Sequence, residues 1–303
     1  MLRLAVVLLL FQAVIRVQTE LVAVPVSVTD AHGHQVTGLS QGNFRVYADG
    51  RRQPITVFRH GDAPVTLGLV VDRSQSMRSK NAAFRAAVSS LLQSSRQDDE
   101  LFAVGFNDRV SFALAGNHAF TNDAKALETA LSAIPAEGRT ALYDGVTEAL
   151  EQLVLGHSDK KVLIVVSDGG DNTSRETYAR VLALAHRSQA VIYAIGLLAA
   201  PPIEEDEDSG LIKRLCSETG GVAYFPRSAP ETIAVSTRLV GDLREQYTLG
   251  FVPDAQADGH AFRKIAVTVT AAGQGRLRVR TRSGYIAEDR DEQIDSDQKR
   301  RNE

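Results

Sequence analysis

Asp72, Ser74 and Ser76 stand at alternate positions directly behind the apolar run LGLVV, residues 67–71. Two further stretches carry the same chemistry: Thr140 in GRTALYDG and Asp168 in VVSDGGDN. Two carboxylates and three hydroxyls are hard oxygen donors, suited to Mg²⁺, Mn²⁺ or Ca²⁺ rather than to zinc. Only two of these groups are anionic, so a divalent ion is just neutralised and the hydroxyls quench it little. An open position on such an ion attracts a further carboxylate, an Asp or Glu of a partner. The alternation Asp72-x-Ser74-x-Ser76 predicts an extended turn with its three side chains on one side.

The elements that position these groups follow from hydrophobic periodicity. The run ending at Asp72 is short, continuous and rich in Val and Leu, as in a strand buried on both faces. From there, short apolar runs alternate with amphipathic helical patterns, among them KVLIVVS, SRETYARVLALAHRS and AVIYAIGLL. Such alternation predicts an α/β fold, a doubly wound and mostly parallel sheet over residues 63–246, with the hairpin LFAVGFNDRVSFAL as an antiparallel edge. Three strand-to-helix junctions then share the carboxyl edge of the sheet, delivering Asp72, Thr140 and Asp168 to one place. Single caps and turns also use these residue types. Their convergence in order favours a metal site.

Strand signals occupy both flanks. Residues 20–62 contain LVAVPVSV, FRVY and ITVF, the last two on either side of an Asp49-Gly50 hairpin signal; residues 247–287 contain YTLGFVP, FRKIAVTVTA and GRLRVRTRSGYIA. Hairpins this small are marginal alone, so the two flanks are expected to form one small β-sandwich into which the α/β domain is inserted. Residues 1–19 hold the apolar run LAVVLLLFQAVI behind Arg3, too short to span a bilayer and of the length of a signal peptide, so export to the periplasm, cell envelope or exterior is expected. The nearly apolar-free stretch 288–303 reads as a disordered tail.

A net charge of -3 gives no global attraction to nucleic acid or to an anionic membrane. Cys216 is the only cysteine, which excludes an intramolecular disulfide and a thiolate zinc cluster; it reads as a buried, inert thiol. GLSQG, residues 38–42, spells the nucleophile elbow of serine hydrolases around Ser40, but there is no room behind it for the long helix that the elbow requires. His32 and His34 read as solvated turn residues. Asp171 and Asn172 shape the loop behind Asp168, and the sequon Asn172-Thr173-Ser174 is discounted beside a binding site. The acidic run Glu204 to Asp208 leaves the same sheet edge; one of its carboxylates is a candidate pseudo-ligand for the open metal position.

DRSQSM, GRTALYDG and SDGGDN together resemble the three pieces of the metal-ion-dependent adhesion site (MIDAS) of von Willebrand factor type A (VWA) domains. The flanks VTDAHGHQVTGLSQGNFRVYADG, YTLGFVP and RTRSGYIA are similar to those of bacterial VWFA-related proteins, so the resemblance runs from about Leu21 to Ala287. It implies that Asp72, Ser74, Ser76, Thr140 and Asp168 hold a divalent ion, with the hydroxyls as direct ligands and the aspartates acting directly or through water. The function expected is a non-enzymatic, exported module that binds a protein ligand through Mg²⁺ or a similar ion. A metal-assisted phosphoryl hydrolase and a structural subunit of an envelope assembly are the alternatives. No His, Lys or Cys lies within the three motifs to serve as base or nucleophile.

Overall fold

The computed structural model describes residues 21–61, 63–114, 120–197, 207–253 and 261–286. The expected signal peptide and tail, and the side chains of the acidic run 204–208, lie outside the described residues.

Four strands open the chain, β1 (Val22–Thr29), β2 (Phe44–Ala48), β3 (Arg51–Gln53) and β4 (Val57–His60), and four close it, β11 (Tyr247–Phe251), β12 (Phe262–Val269), β13 (Arg278–Thr281) and β14 (Gly284–Ile286). They interleave in two antiparallel sheets, β13-β1-β11-β4 and β14-β12-β2-β3. The period of two puts Val22, Val24, Val26 and Val28 on one face of β1, where they pack with Phe44, Val46, Leu249 and Phe251. Neither flank can bury its apolar face without the other. The Asp49-Gly50 turn has positive φ at both residues, 47° and 77°, as the hairpin signal requires. Its second strand is β3, however, not ITVF: β4 crosses to the other sheet and pairs with β11. Pro54 stands just past β3, and a residue without an N–H cannot prolong the ladder.

His60 lies opposite Tyr247 in that β4–β11 pair, so the strand that leaves the sandwich and the strand that returns to it are neighbours. Between them lies the sheet β10-β9-β8-β5-β6-β7, built from β5 (Val65–Asp72), β6 (Glu100–Phe106), β7 (Val110–Phe112), β8 (Lys160–Ser167), β9 (Val191–Gly196) and β10 (Ala223–Tyr224). All its pairings are parallel except β6–β7, the expected hairpin. Helices α1 (Asn81–Gln93), α2 (Ala124–Ala133) and α6 (Ala229–Glu245) cover one face; α3 (Leu142–Val154), α4 (Tyr178–Arg187) and α5 (Glu207–Thr219) cover the other. β5 is therefore buried along all 8 residues, with Val65, Leu67, Leu69 and Val71 facing one helical layer and Val70 the other. Gly68 is obligatory in that strand, because a Cβ there would lie 2.4 Å from the Phe102 ring.

Asp242 of α6 ties the two units together. Its carboxylate accepts from Ser27 Oγ of β1 (2.8 Å) and Tyr193 OH of β9 (2.7 Å) and pairs with the Arg280 guanidinium of β13. Burial pushes the Asp242 carboxyl up, but Arg280, Tyr193 and Ser27 outweigh it and hold it below the ordinary 3.8. A depressed folded-state value contributes stability above the unfolded value and loses it as pH falls through the folded one. Removing one partner of such a pair leaves a buried charge uncompensated. Asp242→Ala is therefore expected to cost about 3–5 kcal/mol at pH 7 in denaturant unfolding. The difference from wild type should narrow below pH 3.8.

Candidate metal site

β5 ends where its ladder does. Asp72 is 0% exposed, and its two oxygens are satisfied separately: Oδ1 accepts from Ser74 N (2.7 Å) and Oδ2 from Ser167 Oγ (2.6 Å). Ser74 keeps an extended conformation, φ -68° and ψ 166°, while Gln75–Lys80 winds into a 3₁₀ segment that leads into α1. The extended turn thus stops at Ser74. Even so the two hydroxyls meet, Ser74 Oγ lying 3.0 Å from Ser76 Oγ, because one step of 3₁₀ winding folds Ser76 back. Ser76 Oγ in turn donates to Asp168 Oδ1 at 3.0 Å. Asp72, Ser74, Ser76 and Asp168 form one connected series of oxygens at the carboxyl edge, sealed at Asp72 and open to solvent at Ser76.

Thr140 reaches this edge by a different route from the expected strand-to-helix junction. Its loop connects α2 to α3, two helices. Backbone hydrogen bonds from Glu137 N to Arg73 O (2.8 Å), from Gln75 N to Gly138 O (3.1 Å) and from Ala141 N to Asn107 O (2.9 Å) staple that loop onto the ends of β5 and β6. Gly138 takes φ +74°, and a Cβ there would meet Asp108 Oδ2 at 2.1 Å. The glycines after Asp168 do not adopt positive φ, so the left-handed turn lies in the second motif and not the third. Thr140 is buried and held from the third loop: its N–H donates to Asn172 Oδ1 (2.9 Å), and Asn172 N donates back to Thr140 O (3.0 Å).

Three residues outside the five candidates complete the arrangement, of which the sequence assigns only Asn172 a role, in shaping its loop. Ser167 holds the sealed oxygen of Asp72, Asn172 positions Thr140, and the Lys80 ammonium is ion-paired with Asp168 Oδ2. Lys80 ends the 3₁₀ segment that begins behind Ser74, and no spacing in the sequence announces its contact with Asp168. Asp171 shapes the loop, as expected, by accepting from the N–H groups of Tyr143 and Ser174, both at 3.3 Å.

The remaining candidates stay apart. Ser40 is exposed and donates to Asn43 Oδ1 at 3.0 Å, opening a one-turn 3₁₀ segment instead of an elbow. His32 and His34 lie in a turn whose N–H groups both donate to Asp30 Oδ1. Cys216 is buried, and burial pushes its thiol far up from its ordinary value. Among the described residues no three His, Cys, Asp or Glu side chains converge as a metal cluster. A site here must therefore take hydroxyls as ligands. The donor set fits a hard divalent cation, and Asp168 already carries a positive partner in Lys80.

Residues 67–237 match the family model of the von Willebrand factor type A domain. No curated protein matches the chain. Among solved structures, a von Willebrand factor type A protein from Catenulispora acidiphila aligns with a TM-score of 0.53 at 12% identity, over 82% of this chain and 75% of its own. Proximal thread matrix protein 1 of the mussel byssus, solved with a zinc-occupied MIDAS motif, aligns with a TM-score of 0.51 at 17% identity, over 63% of this chain and 48% of its own. At these identities the likeness is one of fold.

Burial, and then repulsion from Asp168, push the Asp72 carboxyl up against the opposing bonds from Ser167 and Ser74. A folded-state value raised in this way makes the ionised group a cost at neutral pH, a cost relieved as pH falls. In chelator-treated protein at pH 7, Asp72→Asn is expected to raise the melting temperature, by about 2–4 °C for each kcal/mol of desolvation relieved. Calorimetry of the two proteins in chelator checks this.

Proposed function

The chain belongs to the von Willebrand factor type A domain family, and on that premise we propose that it is a divalent-metal-dependent binding module. Asp72, Ser74, Ser76, Thr140 and Asp168 are the residues we assign to the ion, and a carboxylate of a protein partner is the group we assign to its open position. The observation that carries this reading is the connected series of oxygens from Asp72 to Asp168, open to solvent at Ser76. When bound, the ion supplies a positive centre to which an acidic side chain can attach. The chain's own residues do the rest. Ser167 orients Asp72, Asn172 holds Thr140 at the same edge, and the stapled loop 137–141 keeps the three motifs in register.

The donor chemistry supports Mg²⁺, Mn²⁺ or Ca²⁺. Zinc belongs in the same comparison, since the mussel byssus protein carries it in its motif. A binding role in place of catalysis is supported by the partners of the site: among the described residues, Asp72, Ser74, Ser76 and Asp168 bond to hydroxyls, a backbone amide and one ammonium, with no imidazole or thiol among them. We assign binding to residues 63–246 and a supporting platform to 20–62 and 247–287. The segment 1–19 we read as the export signal. No described helix is long and apolar enough to cross a membrane.

Calorimetric titration of Mg²⁺, Mn²⁺, Ca²⁺ and Zn²⁺ should give one site per chain, abolished in Asp72→Ala. Ser167→Ala keeps every ligand but loosens Asp72 and is expected to weaken binding about 10–100-fold. Absence of binding by the wild type defeats the proposal, and phosphoester turnover that Asp72→Ala removes defeats its non-catalytic part.

A further inference from the structure

We propose that Lys80 is a tethered counter-cation of the metal site, built in to weaken retention of the divalent ion. The inference rests on the reading that Asp72 and Asp168 help to hold that ion.

Lys80 is the last residue of the 3₁₀ segment Gln75–Lys80, which runs directly into α1, so its backbone lies within one continuous helical stretch that opens at Ser74. Its side chain makes no cap for α1 and reaches instead to another element.

Its partner is Asp168, 88 positions further along the chain. The Lys80 side chain is 19% exposed and the Asp168 side chain 2%, so the ion pair is largely removed from water and only weakly screened. With Ser76 Oγ on Oδ1 and the ammonium on Oδ2, both oxygens of Asp168 are engaged. Asp72 and Asp168 bring two negative charges and Lys80 one positive, so a divalent ion meets a net charge of only -1. Without the lysine it would meet -2. Lys80 thus repels the ion directly and competes with it for Asp168, while in the ion-free protein it offsets part of the repulsion between two buried carboxylates.

Mn²⁺ alone is the probe, titrated by calorimetry into wild type, Lys80→Met, Lys80→Gln and Lys80→Arg, with folding checked by circular dichroism. Lys80→Met and Lys80→Gln are expected to bind Mn²⁺ about tenfold more tightly or better, given the Coulomb energy of charges a few ångströms apart at intermediate dielectric. Lys80→Arg should stay near wild type, because it keeps the charge. If the folded neutral variants bind no more tightly than wild type, the inference is overturned and the metal site stands. Binding by the neutral variants but not by wild type would uphold the role of Lys80 and overturn the metal dependence of the native chain. Binding by none of the four would overturn both.

Discussion

Burying the Asp72 carboxylate is the constraint on which the rest of the site depends. An ionised group taken wholly out of water is tolerated only where hydrogen bonds and opposite charge replace its hydration. A strand buried on both faces delivers Asp72 into that position, since Val70 and Val71 before it are sealed by helices on the two sides of the sheet. Its neighbours answer the requirement in turn. Ser74 N and Ser167 Oγ each satisfy one oxygen, while burial and the nearby Asp168 carboxylate still push the Asp72 carboxyl up.

The same logic governs the junction with the sandwich, with the opposite outcome. Asp242 is also a buried carboxylate, but Arg280, Tyr193 and Ser27 compensate it within the protein. It behaves as a closed structural pair, while Asp72 keeps an unmet demand. The two lie at opposite ends of the parallel strands: Val65 begins at the sandwich end, where its N–H donates to Asp99, itself paired with Arg244 near the end of α6, and Asp72 lies about 25 Å away at the far end of β5. That separation sets the described part of the carboxyl edge at the end of β5 away from the sandwich.

Much of this was legible in the residues themselves. Alternation of β-branched positions in β1 and the unbroken apolar runs of β5 and β8 placed a sandwich and a parallel sheet correctly, because both patterns depend on the local period of the backbone and on which faces are covered. Asp49-Gly50 announced its turn for the same reason. ITVF was misread as the partner of FRVY because which strand pairs with which is not a local property; the choice fell to β11, nearly 190 positions away, as the place where β4 could complete a sheet. Thr140 lies at the carboxyl edge not through a strand end but through a loop that joins two helices and is brought in by backbone hydrogen bonds that no side-chain motif encodes.

The sequence by itself supplies the chemistry of the proposed site: five oxygen-bearing residues in three ordered motifs, two of them at the ends of strands whose periodicity is local. Only the tertiary structure decided how those groups are supported. Ser167 on Asp72, Asn172 on Thr140 and Lys80 on Asp168 are contacts across 95, 32 and 88 positions. Each depends on how the strands and helices pack in register, and residue type gives no notice of it. Nothing along the chain ties Lys80 to Asp168; packing alone sets the ammonium against that buried carboxylate.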